Sequence, residues 1–398
     1  MLERMESNTP SRDPLPTADP TRMTLRQLAF GVRIALDFVA ASVALATLLG
    51  WSSEQWLPGE LASHFRLQYL WIALAAAIGL VAIGFRRDAA LAALPAFLNF
   101  AVILPFYMPT GASPSAAPSL RVASINVYSL NRRHAEVLQF VRDNRPDLVL
   151  LLEVTTAWRD LLDALAADYP FQHLELRGSN FGMALFSRLP WKSVATREFG
   201  SGGLPSIVAR LEWQDEPLVL VGTHPMPPGG SSMWRLRNEQ FAQIAAFCRT
   251  ETDPLVVIGD LNSTSWSAWF DTLLDGTRLR DSRAGFGLQT TWPCWTWQLG
   301  ITIDHCLVSP EVAVRKRWIG PHVGSDHFPL LLDLAVDPRA AKRMNAGPAS
   351  SNLWPDSRRR APRRCGQTHV DGRMRDAPSK PRRGGLTGRA SARSIGHG

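Results

Sequence analysis

Apolar residues are distributed in two regimes along this chain. Up to Met108 they form three long stretches, about Ile34 to Trp51, Leu67 to Phe85 and Ala89 to Met108; beyond Leu120 they come in short runs between polar residues. The second and third stretches each hold about 20 residues without an acidic or basic side chain, enough to cross a ~30 Å hydrocarbon layer at ~1.5 Å per residue. The first begins beside Arg33 and Asp37, an i,i+4 pair able to meet and reach the interface. A signal peptide accounts for the first stretch alone and not for two further spans, so the pattern predicts three transmembrane helices over residues 1–108. Pro95 and Pro105 are expected to kink the third, and Asn99 to face its neighbours.

Positive charge orients these spans. Arg22, Arg26 and Arg33 flank the first, Arg86 and Arg87 fill the turn between the second and third, and the intervening loop balances Arg66 against Glu54 and Glu60. The amino terminus and the 86–88 turn therefore read as cytoplasmic, and an odd number of spans places everything after Met108 outside. Trp51, Trp56, Tyr69, Trp71 and Tyr107 suit interfacial anchors.

Residues 109–119, rich in Pro, Ser, Ala and Gly, have linker composition. From 120 to 337 the period changes repeatedly. Strands are predicted at Arg121–Val127, Leu148–Leu152, Phe171–Leu176, Gly182–Ser187, Ser193–Arg197, Ile207–Trp213, Leu218–Gly222, from Leu255, and at Thr290–Trp292, Ile301–Leu307, Val312–Trp318 and Pro329–Leu334. Helices are predicted at Arg133–Asn144, Ala157–Tyr169, Met233–Arg249 and Ala268–Leu274. Short buried strands with helices between them indicate an α/β domain of two packed mixed sheets flanked by helices.

Charge changes the picture at the carboxyl end. Residues 338–398 hold 15 Lys and Arg against 3 Asp and Glu, leaving 28 against 32 in residues 1–337. The basic balance thus belongs to a tail without apolar periodicity, expected to be disordered, which could lie on anionic lipid or cell-wall polymer or be a plain solvated extension. The acidic remainder counts against a nucleic-acid groove. Cys248, Cys294, Cys306 and Cys365 lack metal-site spacing; Cys294 and Cys306 could pair in an oxidising compartment, or be two small buried hydrophobes.

Several strands end in a polar residue suited to chemistry: Asn126, Glu153, His224, Asp260 with Asn262, Asp304, and Asp326 with His327. Each alone reads as a cap or solvated end; together they form a catalytic inventory. Glu153 is the first candidate ligand for a hard divalent cation, with Asn126 and Asp326 nearby. His327, oriented by Asp304, can take a proton from water or stabilise charge beside a phosphorus. Asp260 and Asn262 share a strand end and could position water and a phosphate oxygen.

These residues lie in the segments Ser124-Ile-Asn126, Leu152-Glu153, Gly182-Met-Ala-Leu-Phe-Ser-Arg188, Gly222-Thr-His224-Pro, Gly259-Asp260-Leu-Asn262-Ser, Ile303-Asp304-His and Ser325-Asp326-His327-Phe-Pro329. In that order they resemble the motifs of the endonuclease/exonuclease/phosphatase superfamily. The resemblance implies a four-layer α/β sandwich and a Mg²⁺- or Mn²⁺-dependent hydrolase. It gives Asn126, Glu153 and Asp326 metal-side positions, His224 a phosphate contact, Asp260 and Asn262 the water and phosphate pair, and His327 a general-base role supported by Asp304. The tyrosine that some DNA-repair members place near the phosphate has no clear counterpart, since Phe181 and Met183 occupy the Gly-Met-Ala-Leu region, and long basic insertions are not evident.

The three-span anchor is similar to bacterial membrane members of the superfamily, including a teicoplanin-resistance group. That likeness implies an integral protein of the inner or plasma membrane, acting outside the cytoplasm on a phosphorylated, lipid-linked substrate. Two other readings stay open at this point: a tethered extracytoplasmic DNA or RNA endonuclease, and an inactive binding module.

Overall fold

The structure, a computed structural model, describes residues 20–109, 118–296 and 299–337. The central linker residues, the tail and Cys365 lie outside them.

Four helices precede the sheets: α1 (Pro20–Leu49), α2 (Leu57–Ser63), α3 (Arg66–Ala82) and α4 (Arg86–Ile103). Residues 24–52 and 86–107 are each long and apolar enough to cross a membrane, and α2 with α3, bent by 68°, qualifies as a broken third span. Helix α1 begins well before the apolar stretch, at Pro20. Arg33 meets Asp37 at 3.4 Å and also Asp88 of α4 at 2.7 Å, so the expected local pair is an interhelical one as well. Asn99 is fully buried and donates to Thr47 Oγ1 at 2.9 Å, facing the neighbouring helix.

The remaining elements are β1 (Leu120–Asn126), α5 (His134–Asn144), β2 (Leu148–Leu152), α6 (Arg159–Asp163), β3 (Phe171–Glu175), β4 (Met183–Ser187), β5 (Trp191–Glu198), β6 (Pro205–Trp213), β7 (Glu216–Thr223), α7 (Ser231–Thr250), β8 (Leu255–Asp260), α8 (Ala268–Leu274), β9 (Arg280–Asp281), β10 (Asp304–Val308), β11 (Val312–Ile319) and β12 (Leu330–Val336). They build two six-stranded mixed sheets, ordered β11-β12-β1-β2-β4-β3 and β5-β6-β7-β8-β10-β9. Alternate residues of both sheets, among them Leu150, Leu152, Leu185, Leu220, Val256, Ile258 and Leu332, interdigitate between them. The opposite faces bury under α5 and α6 on one sheet and α7 and α8 on the other. This is the expected four-layer sandwich.

Local expectations fail where tertiary packing decides. The helix expected over Ala157–Tyr169 shortens to a 3-10 turn and α6, because the following turn drops Leu165 and Tyr169 into the core, where the Tyr169 hydroxyl donates to Pro146 O at 2.8 Å. Thr290–Trp292 makes a single bridge, Trp292 to Ile301, instead of a strand. Cys294 and Cys306 are free and buried, so they do not pair; the Cys294 thiol donates to Ser325 O at 3.1 Å.

Strand polarity gathers the polar ends. β1 and β2 run parallel, as do β7 and β8, while β10 returns antiparallel with Asp304 directly opposite Asp260. Two glycines permit the close approaches this needs. A Cβ at Gly259, whose φ is +148°, would lie 1.9 Å from Thr223 O, and one at Gly182 would lie 1.8 Å from Val154 O, beside Glu153.

Candidate active site

Asn126 is the hub. Its Oδ1 accepts the Tyr128 backbone N–H at 3.0 Å, which turns the amide nitrogen inward. That nitrogen donates to Glu153 Oε1 at 3.0 Å and Asp260 Oδ2 at 3.1 Å, and lies 3.5 Å from His327 Nε2. One buried amide thus holds the ends of both sheets together. In this arrangement Asn126 presents donors to two carboxylates, whereas a metal ligand would present its oxygen.

Glu153 ends β2 in the left-handed region, with φ of 62°, and its second oxygen accepts the Ser129 N–H at 3.1 Å. Asn262 is left-handed too, with φ of 48°, its N–H donating to Asp260 Oδ1 at 2.9 Å and its Nδ2 to Pro225 O at 3.0 Å. Non-glycine residues in this region cost about 1–3 kcal/mol and concentrate at functional sites.

His327 Nδ1 lies 2.9 Å from Asp304 Oδ2, and its Nε2 lies 3.6 Å from Asp260 Oδ2. Burial pulls this imidazole down, yet Asp304 and Asp260 outweigh it and push the ring up to about 10. Burial likewise pushes Asp260 up, but His327 and His224 overcome it and hold the carboxyl at about 2. His224, 3.5 Å from Asp260 Oδ2, loses basicity to burial and regains more from that carboxylate, so its net shift is upward. Its ring packs against Phe181, with centroids 5.4 Å apart. Asp326 turns partly away: Oδ2 accepts Trp292 Nε1 at 3.1 Å, and its carbonyl accepts the Cys294 N–H at 2.9 Å.

The cluster suits a divalent cation by its donor chemistry. Glu153 has no ion-pair partner among the described residues, and Asp304 Oδ1 and Asp326 Oδ1 are buried without a hydrogen-bond partner. Asp260, Asp304 and His327 offer ligand atoms within 4.8 Å of one another. Buried carboxylates in excess of cations are resolved by pairing or by metal coordination.

All eight residues singled out from the sequence therefore lie around this cluster, with Asp326 at its edge and the Asn262 side chain engaged with Pro225 O. Sequence reasoning missed Arg237, which is fully buried on α7 and donates from Nη1 to the backbone oxygen of Asn262 at 3.1 Å. The signal was present: Trp234, Arg237, Asn238, Phe241, Ile244 and Cys248 follow helical spacing, and all are buried.

Two sheets presenting carboxylates and histidines at one set of strand ends define a phosphoester-hydrolase type of site. The chain belongs to the endonuclease/exonuclease/phosphatase family, whose sequence model matches residues 123–327 and so encloses every one of those eight residues. Members of this family hydrolyse phosphoester bonds. A curated relative is the inositol phosphosphingolipids phospholipase C of Saccharomyces cerevisiae, 27% identical over an alignment of 160 residues that covers 34% of this chain and 34% of that one. This chain therefore matches about a third of that relative's length. Among solved structures, a humanized D. rerio TDP2 is 16% identical, covering 55% of this chain and 99% of that one, with a TM-score of 0.48. The 3′ phosphatase NExo from Neisseria, bound to product DNA hairpin, is 21% identical, covering 54% of this chain and 98% of that one, with a TM-score of 0.46.

Proposed function

We propose that this chain is a membrane-anchored, divalent-metal-dependent phosphoesterase whose site faces outside the cytoplasm and whose substrate is a lipid-linked phosphate ester or diphosphate, as in the teicoplanin-resistance membrane group. The observation that carries the chemistry is the buried Asp304–His327 pair opposed to Asp260 and tied through Asn126 to Glu153. Mg²⁺ or Mn²⁺, held by Glu153 and the neighbouring Asp260 carboxylate, would supply Lewis acidity toward a phosphate oxygen. Asp260 and Asn262 orient water for attack on phosphorus, and His224 contacts a phosphate oxygen. His327 in its neutral form takes a proton from that water; in the charged form its two carboxylates favour, it stabilises negative charge on the phosphate.

Contacts between anchor and domain support three spans. Ser53, Glu60 and His64 all bond to the catalytic domain, so the segment between the first two spans shares its side of the membrane. Were α3 not to cross, that segment and the domain would face opposite sides. The site also adjoins the lipid surface in this reading. Gln68, in the first turn of α3, donates to Leu299 O at 2.6 Å, and Trp295 and Leu299, at 68% and 65% exposed, lie on the segment that leads back to Cys294 and Asp326.

A substrate panel on the full-length protein in nanodiscs, with Mg²⁺ and Mn²⁺, tests this. Release of phosphate from a polyprenyl diphosphate or of a phospholipid head group is expected, with plasmid DNA left intact. Cleavage of DNA without action on either lipid would replace this reading by the endonuclease one.

A further inference from the structure

We propose that Glu60, in the segment between the first and second membrane spans, is a positioning residue for the active site, acting through Arg237 on the loop that carries Asp260 and Asn262. This rests on the phosphoesterase reading and adds to it a requirement for the anchor.

The connection is short, and its ion pair is fully buried. Glu60 and Arg237 are both fully buried, and Arg237 Nη2 lies 2.7 Å from Glu60 Oε1. Among the described residues, Glu60 is the carboxylate that pairs with Arg237. The same guanidinium donates from Nη1 to Asn262 O at 3.1 Å, and from Nε and Nη2 to Asn238 Oδ1 at 3.1 and 2.8 Å. Asn262 is thereby fixed at three points: its carbonyl by Arg237, its N–H by Asp260 and its amide by Pro225 O. Together they hold its left-handed backbone in one place.

The anchor holds the rest of the loop as well. Glu60 Oε2 accepts from Ser267 Oγ at 2.8 Å, His64 Nδ1 lies 3.0 Å from Thr264 Oγ1, and Ser53 Oγ accepts the Ala268 N–H at 3.0 Å. These contacts dock the anchor, but only the Glu60–Arg237 pair reaches the carbonyl of Asn262. Without Glu60 the guanidinium is a buried charge lacking its counterion, and it would turn toward water or toward other acceptors. The carbonyl of Asn262 would then lose its donor, and with it the placement of the groups that orient the water.

The test uses the full-length protein in nanodiscs with Mg²⁺ and bis(p-nitrophenyl) phosphate as a probe that needs no lipid contact. Glu60→Gln is expected to lower kcat by about tenfold or more with KM within about twofold, because misplaced catalytic groups impair the transition state more than ground-state binding. Glu60→Asp should recover part of the rate. Thr264→Val, which breaks a docking contact off this path, should leave kcat unchanged. Arg237→Gln combined with Glu60→Gln should be no slower than either alone, as expected of two residues acting in series. Wild-type kcat in Glu60→Gln, or an equal loss in Thr264→Val, would overturn the positioning role. Should Glu60→Gln not fold, amide exchange over residues 261–268 in Glu60→Asp decides: faster exchange there than in wild type is expected, and unchanged exchange overturns the proposal. A wild-type protein inactive on every phosphoester in the substrate panel would instead sink the phosphoesterase reading, and the positioning role with it.

Discussion

Two buried clusters of charge flank the loop that follows β8, and they are balanced differently. At the seam with the N-terminal helices, the Arg237 guanidinium lies 2.7 Å from Glu60, so the negative charge of Glu60 is met. At the strand ends, Glu153, Asp260, Asp304 and Asp326 converge on His224 and His327, with Glu153 outside any ion pair among the described residues. A matched cluster is stable as it stands and serves as structure. An unmatched one holds free energy in reserve for a cation or a substrate, at some expense in stability. The same buried carboxylate chemistry thus does two jobs, set by what lies opposite.

Truncation gives the largest effects and separates the clusters most clearly. His327→Ala should lower kcat by about 10²–10⁴-fold, the range for a lost acid–base or charge-stabilising group, with the fold retained by circular dichroism. Glu153→Ala should abolish the response of activity to Mg²⁺ titration. Unchanged rates in either variant would mean that the strand-end cluster is not the reactive centre.

The contrast is sharper in stability. Arg237→Ala leaves Glu60 buried against no guanidinium and should cost about 3–5 kcal/mol, read as a lowered denaturation midpoint. Glu153→Gln removes one of several like charges and should leave the midpoint of the chelated protein unchanged or raise it, although activity is lost. Equal destabilisation by both would erase the distinction between matched and unmatched clusters.

The unmatched cluster was the legible one. Glu153, Asp260 and Asp304 each follow a short apolar run and His327 precedes one, so a local change between apolar and polar marks them, as in Val256-Val257-Ile258-Gly259-Asp260. The matched cluster joins residues 177 positions apart, Glu60 and Arg237, and no local pattern pairs them. Arg237 does sit on the buried stripe of α7, yet a lone arginine there does not name its partner. The orientation of Asn126 was equally hidden, because it depends on the backbone N–H of Tyr128. Helix lengths failed where Leu165 and Tyr169 found the core by a turn, which propensity over Ala157–Tyr169 does not encode.

Proton binding adds a smaller effect. His327 in the folded chain is held at about 10, above its ordinary value of 6.5, so its contribution to stability is full below about pH 6.5 and lost as pH rises through about 10. In the chelated protein the melting temperature of wild type should therefore exceed that of His327→Gln most at about pH 6, and the margin should close by about pH 10.5. A margin that stays constant over that range would show that Asp304 and Asp260 do not hold a proton on the ring.

The finest comparison exchanges one hydroxyl in each cluster. Ser53 Oγ accepts the Ala268 N–H at 3.0 Å at the seam, and Ser325 Oγ accepts the His327 N–H at 3.0 Å at the site. Ser325 also donates to Asn126 O at 2.6 Å, tying the histidine to the hub. Alanine at either position removes a buried acceptor of the same kind and should cost about 1 kcal/mol, a shift of ~2–4 °C for a domain of this size. The kinetic outcomes should differ: Ser325→Ala loosens His327 and Asn126 together and should lower kcat several-fold, whereas Ser53→Ala, which removes a bond to Ala268 and leaves the Glu60–Arg237 pair in place, should leave it unchanged. Equal kinetic losses at equal stability would mean that any loosening around the β8 loop impairs hydrolysis, and that charge balance does not divide the clusters by role.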